Sequence, residues 1–132
     1  PDINRELLGL TAIATPHIAG FSADGKANGT RMCLENIETF FQVKIEKIDE
    51  VIPPTPETPV INLDRFDENR IEQAILTSFN PLAVDWALRE NPDKFEWFRA
   101  NYHHPREFQA YTIVHATPEE AALLQGLGFR IQ

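Results

Sequence analysis

Four prolines fall within nine residues, at Pro53, Pro54, Pro56 and Pro59. A helix or central strand does not tolerate that density, because each proline removes a backbone donor and fixes φ at about −65°. The stretch from Val51 to Pro59 therefore reads as an extended, semi-rigid connector. It divides the 132 residues into a part at 1–50 and a part at 60–132. Domains typically run to about 100–150 residues, so the chain can hold one modest core or two small substructures, and a complete two-domain enzyme does not fit. The chain opens Pro1-Asp-Ile-Asn4, without a methionine, which raises the expectation that it is a portion of a longer gene product.

Before the prolines, Thr11-Ala-Ile-Ala-Thr15 is short, apolar and rich in β-formers, and it stops at Pro16. It is expected to be a buried strand of a parallel sheet. Ser22 or Asp24 then caps a long helix whose apolar positions are Thr30, Cys33, Leu34, Ile37, Phe40 and Phe41. Cys33 falls on that apolar side, where a buried, inert thiol is expected. As the lone cysteine it forms no internal disulfide, which fits a reducing compartment such as the cytoplasm. Between strand and helix lies Pro16-His-Ile-Ala-Gly20, at the carboxyl end of the strand, where open α/β sheets place their ligands.

After the prolines, Val60-Ile-Asn-Leu63 is a candidate strand, and Ile71, Ala74, Ile75, Ser78 and Phe79 mark a helical stripe. Asn80-Pro81 and Asn91-Pro92 each offer an N-cap followed by proline at the first helical position. The helix after Asn91 aligns Phe95, Phe98 and Tyr102. Tyr111 to Val114 reads as a buried strand. Thr117-Pro-Glu-Glu120 forms a capping box, Leu123, Leu124 and Leu127 supply the apolar side of the next helix, and Gly128 ends it before a last strand at Phe129-Arg-Ile131. The second part is thus a small α/β unit.

Composition excludes several functions. The net charge of −8 repels nucleic-acid phosphates and anionic lipid surfaces, and no basic patch offsets it. No apolar run approaches the ~20 residues that cross a bilayer, and no signal sequence opens the chain. Neither nucleic acid nor a membrane is expected as a partner.

His17 is the principal chemical candidate, since an imidazole just past a buried strand and close to glycine can project into a cleft and exchange protons near neutral pH. Taken alone, a loop histidine is more often structural or merely exposed. The run Ala14-Thr-Pro-His-Ile-Ala-Gly-Phe21, followed by a helix carrying Asn36-Ile37 and Phe40-Phe41, resembles the signature of D-isomer-specific 2-hydroxyacid dehydrogenases. The longer run Thr15 to Thr30, with Arg99-Ala-Asn-Tyr102, Arg106-Glu-Phe108 and Leu124-Gln-Gly-Leu-Gly-Phe129, is similar to one branch of that family. The branch serves pyridoxal phosphate (vitamin B6) biosynthesis and carries an appended C-terminal dimerisation domain.

The resemblance implies an α/β fold: the terminal strand and long helix of a Rossmann-type nucleotide domain over residues 1–50, a linker over 51–59, and a dimerisation domain over 60–132 through which two copies form a homodimer. It also implies NAD as cofactor and a small phosphorylated hydroxy acid as substrate. By the same resemblance His17 is the catalytic acid/base, Gly20 lets the backbone approach the nicotinamide, and Phe21 stands at a substrate-contact position where relatives often carry tyrosine. The glutamate that pairs with the histidine would lie immediately before the proline matching Pro1. The substrate-carboxylate arginine and the glycine-rich pyrophosphate loop would lie further upstream. Gly126-Leu-Gly128 does not replace that loop, because it follows a helix and reads as a C-cap. The segment alone is therefore expected to be inactive.

Other residues have plainer readings. His103-His104 lack a third ligand and suit a helix C-terminus, so no metal is assigned. His115 is expected to be packed or hydrogen-bonded. Among Trp86, Phe95, Trp97, Phe98 and Tyr102, core is the favoured place for most, with the excess available for a dimer contact. Asp64, Asp67, Glu68 and Glu72 solvate a helix start. Two alternatives stay open: another 2-hydroxyacid dehydrogenase, such as phosphoglycerate dehydrogenase, with an appended regulatory domain, and an autonomous dimerisation module.

Overall fold

The chain is described by a computed structural model covering residues 2–132. It is an α/β structure with a small parallel sheet and several helices. The order is α1 (Arg5–Leu10), α2 (Ala23–Phe41), β1 (Val60–Asn62), α3 (Arg70–Ser78), α4 (Pro81–Glu90), α5 (Phe95–Ala100), β2 (Thr112–Val114), α6 (Pro118–Gly126) and β3 (Arg130–Ile131), with short 3-10 turns between. The strands pair in the order β1-β2-β3, all parallel, with Ile61 opposite Ile113 and Ile113 opposite Ile131. Parallel neighbours require crossovers, and α3 to α5 supply the first and α6 the second.

The apolar core belongs to this unit. Ile61, Leu63, Ala74, Tyr111, Ile113, Leu124 and Phe129 form one buried cluster, with Phe66, Ile71, Ile75 and Phe108 packed around it. Leu63, Ile113 and Leu124 are fully enclosed, each contributing about 1.5–3 kcal/mol relative to exposure. The Phe108 and Phe129 rings stack at 4.5 Å, and the Tyr111 hydroxyl donates to Ser78 O at 3.2 Å.

Local signals set several element ends. The Asn80 side chain accepts from Leu82 N and Ala83 N at the start of α4. Thr117 and Glu120 make the reciprocal capping box of α6. At the other end of α6, Gly128 N donates to Gln125 O and Phe129 N to Leu124 O, with Gly128 at φ 104°. This is a Schellman closure, which needs a left-handed residue.

Several expectations are corrected. Thr11 to Thr15 forms no strand; none of β1 to β3 runs beside it, so no ladder exists to satisfy its backbone. Side chains of α4 meet part of that need instead: Arg89 donates to Thr11 O, and Asp85 accepts from Ala14 N. The helix predicted after Ser22 is present, but only Asp24 and Ala27 on it are buried. Beyond them α2 extends past the C-terminal unit, leaving Ile37, Phe40 and Phe41 exposed, Phe40 at 81%. Cys33 is exposed for the same reason.

Asn91 makes no side-chain cap, and the segment after it is a 3-10 turn followed by the six-residue α5, which ends before Tyr102. On α6 only Leu124 is buried, while Leu123 and Leu127 face outward. The aromatic group does not form the core either: Trp86 and Trp97 are exposed, and Phe95, Phe98 and Tyr102 are half-buried. A three-stranded sheet offers too little surface to cover all five.

Candidate functional site

The segment from Thr15 to Ser22 is built by two tight turns. His17 N donates to Thr15 O at 2.9 Å, a three-residue turn centred on Pro16, whose ring favours the required φ. Phe21 N then donates to Ile18 O at 3.0 Å, closing a four-residue turn. Its third residue is Gly20 at φ 75°, a conformation in which glycine carries no steric penalty. Pro16 and Ile18 are buried on either side of an exposed His17. The two anchors thus present the imidazole outward, and His17 itself adopts φ 59°. A non-glycine residue there costs about 1 kcal/mol and is retained only when its surroundings impose it.

Those surroundings come from the C-terminal unit. On the near side, the Arg89 guanidinium reaches Leu8 O at 2.6 Å and Thr11 O at 2.8 Å while its Nε lies 2.9 Å from both Asp85 oxygens. Asp85 Oδ1 also accepts from Ala14 N at 2.6 Å. On the far side, Asp24 accepts from Arg106 Nε at 2.8 Å and Nη2 at 3.0 Å, and from Glu107 N at 2.8 Å. Ala23 N donates to Pro105 O at 2.9 Å, and Ser22, which caps α2, donates to Glu107 Oε1 at 2.6 Å.

Burial pushes the Asp24 carboxyl up, but the Arg106 hydrogen bond, the Glu107 amide and the Arg106 charge together outweigh it and hold it below the ordinary carboxylate range. The same hydrogen bond raises Arg106. For Asp85, the Arg89 hydrogen bond followed by the Ala14 amide lowers the carboxyl.

Of the residues selected from the sequence, Gly20 and Phe21 line one groove of about 540 Å³, with Phe79, Tyr102, Arg106 and Phe108 across from them. His17 is not part of that lining. The Phe21 ring lies 6.2 Å from the His104 ring and has Lys26 Nζ 5.5 Å from its centroid. Burial, then the charges of Lys26 and His103, hold His104 below its ordinary value.

Nothing lies within 4 Å of the position a side chain would take on Gly20, so a flat ring has room to approach its backbone. That openness is access to the Gly20 backbone from solvent. Pro1, which would mark the position of the partner glutamate, lies outside the described residues. Among the described residues no three metal-type side chains converge, and no helix is long and apolar enough to cross a membrane. His115 is exposed rather than packed, with its Nδ1 2.5 Å from Asp64 Oδ2.

Asp85 and Arg89 had no part in the sequence expectations, while Asp24 entered them only as an alternative to Ser22 for capping α2, and Arg106 only as part of a tail motif; it is Ser22 that caps the helix. Arg106 contacts Asp24 across 82 residues, and Arg89 contacts Thr11 across 78. No local spacing encodes such pairs; the i, i+4 arrangement of Asp85 and Arg89 was the one visible signal.

Residues 52–128 match the family model described as a domain of unknown function, DUF3410, and the chain belongs to that family. The relatives are more specific. A protein of Porphyromonas gingivalis is 53% identical over 129 residues, covering 98% of this chain and 35% of the relative. One of Bacteroides thetaiotaomicron is 45% identical over 86% of this chain and 31% of its own length. One of Coxiella burnetii is 33% identical over 95% of this chain and 34% of its own length. All three are named erythronate-4-phosphate dehydrogenase. The chain spans about a third of the length of the curated relatives it matches.

Proposed function

We propose that this chain is the C-terminal part of an NAD-dependent 2-hydroxyacid dehydrogenase that oxidises 4-phospho-D-erythronate to its 2-oxo acid in pyridoxal phosphate biosynthesis. The observation that carries the proposal is the 53% identity, over 98% of the chain, to a relative of that name. His17 takes the proton of the substrate hydroxyl in the oxidative direction and returns it in the reverse one, a role suited to an imidazole near neutral pH. The Gly20 backbone borders the nicotinamide, which accepts the hydride when bound. Phe21 borders the substrate through its ring or backbone. The Lys26 ammonium close to that ring supports a phosphorylated, anionic substrate.

Residues 1–50 on this reading complete a Rossmann-type nucleotide domain, whose neighbouring layers cover Ile37, Phe40 and Phe41 of α2. Residues 60–132 join a second copy, and the exposed Trp86 and Trp97 support such a contact. The cellular setting is the cytoplasm. The test is to supply the full-length protein with NAD and 4-phospho-D-erythronate or 3-phosphoglycerate and follow NADH. Formation of NADH with the four-carbon acid alone is expected; turnover confined to 3-phosphoglycerate would favour the phosphoglycerate dehydrogenase reading instead.

A further inference from the structure

We propose that Arg89 and Arg106 are positioning residues that hold the His17 segment from its two ends, so that the C-terminal unit fixes the geometry of the proton-transfer group as well as any contact between copies. Each guanidinium uses its whole planar fork. Arg89 joins the Asp85 carboxylate to the carbonyls of Leu8 and Thr11. Arg106 joins both oxygens of the buried Asp24 to the carbonyl of Pro54 in the linker. The chain between these attachments contains the two left-handed residues His17 and Gly20, and conformations of that kind persist where the surroundings over-determine them. Pro16 and Ile18 are buried, but two apolar anchors leave the path of the chain into and out of the turns free to rotate. The two arginine attachments remove that freedom. A lysine cannot reproduce them, because an ammonium on a flexible stem does not span two carboxylate oxygens and a carbonyl in one plane.

The kinetic part of the proposal rests on the dehydrogenase reading; the structural part does not. The experiment uses the full-length protein with Arg106→Met, Arg106→Lys and Arg89→Met. Amide hydrogen exchange is measured over residues 15–21 and over the three strands, together with kcat and KM for NAD and 4-phospho-D-erythronate. Exchange over 15–21 is expected to rise about tenfold in each variant while the strands stay protected. Turnover is expected to fall about 10- to 100-fold with KM for NAD nearly unchanged, and Arg106→Lys is not expected to restore it. Unchanged exchange and turnover in folded variants would overturn the proposal. So would exchange rising equally across the strands with cofactor binding lost in step, which would mark general unfolding. If the unaltered protein turns over neither acid, the dehydrogenase reading fails while the exchange measurement still decides whether the two arginines hold the segment.

Discussion

Arg106 grips the Asp24 carboxylate from 82 residues away, its Nε 2.8 Å from one oxygen and its Nη2 3.0 Å from the other. The Asp24 side chain is 8% exposed and that of Arg106 16%. Removing one partner of such a pair leaves the other desolvated and unpaired, so Asp24→Asn should lower stability by about 3 kcal/mol, the lower end of the range for buried pairs. Chemical denaturation at neutral pH measures it, and a loss under about 0.5 kcal/mol would contradict the pairing.

The same carboxylate predicts a pH dependence. Although burial raises it, hydrogen bonds and charge from Arg106 and Glu107 hold it below its ordinary value of 3.8. The folded state therefore binds fewer protons at Asp24 than the unfolded state. The contribution is complete above the unfolded value and is lost as pH falls through the lower, folded one. As pH falls below about 4 the Asp24→Asn variant should lose less stability than the unaltered chain. Parallel denaturation series check this; identical acid slopes would count against it.

Cys33 gives a test of how α2 is used. It is exposed here, as are Ile37 and Phe41 on following turns of the same side. A thiol reagent should label Cys33 readily in the 132-residue chain. In the full-length protein the proposed nucleotide domain would cover that side, and labelling should slow about tenfold or more. Equal rates in both would contradict the docking assigned to α2.

How much of this was legible in the sequence depended on range. The capping box at Thr117 and Glu120, the Asn80 cap and the Gly128 closure depend on neighbours within a turn, and residue type alone marks them. Val60 and Ile113 lie in strands expected from their apolar stretches, and Ile131 in the strand expected after Gly128. Thr11 to Thr15 has the same composition, yet strand formation needs partners on the ladder, and composition cannot supply those. Cys33 and Phe40 fall on a genuine helical stripe, but periodicity identifies a face without saying what covers it. Asn91 carries the same dipeptide signal as Asn80, and the 3-10 turn that follows leaves its side chain without a capping bond. Within the candidate site, the loop motif marked His17, Gly20 and Phe21, whereas Arg89 and Arg106 act on it through contacts that only the folded chain brings together.

The core offers a control on the C-terminal unit. Ile113 is fully enclosed at the centre of β2, the middle strand. Ile113→Ala should cost about 2–5 kcal/mol, a transfer term plus the cavity left behind. A denaturation midpoint unchanged from the original would contradict the core described here.

Trp86 and Trp97 test the proposed homodimer. Both are large, exposed and on the outer side of the unit, so a Trp86→Ser, Trp97→Ser double variant should shift the full-length protein toward monomer in sedimentation without altering its fold. A parent protein that already sediments as a monomer at micromolar concentration would remove the homodimer from the account.

The role of His17 is tested most directly by the turnover of the full-length His17→Ala variant with 4-phospho-D-erythronate and NAD. The account predicts a fall of about 10²- to 10⁴-fold, the usual contribution of a general acid/base, in a protein that still binds NAD. Turnover close to that of the unaltered enzyme would contradict the assignment of His17 as the group that moves the proton.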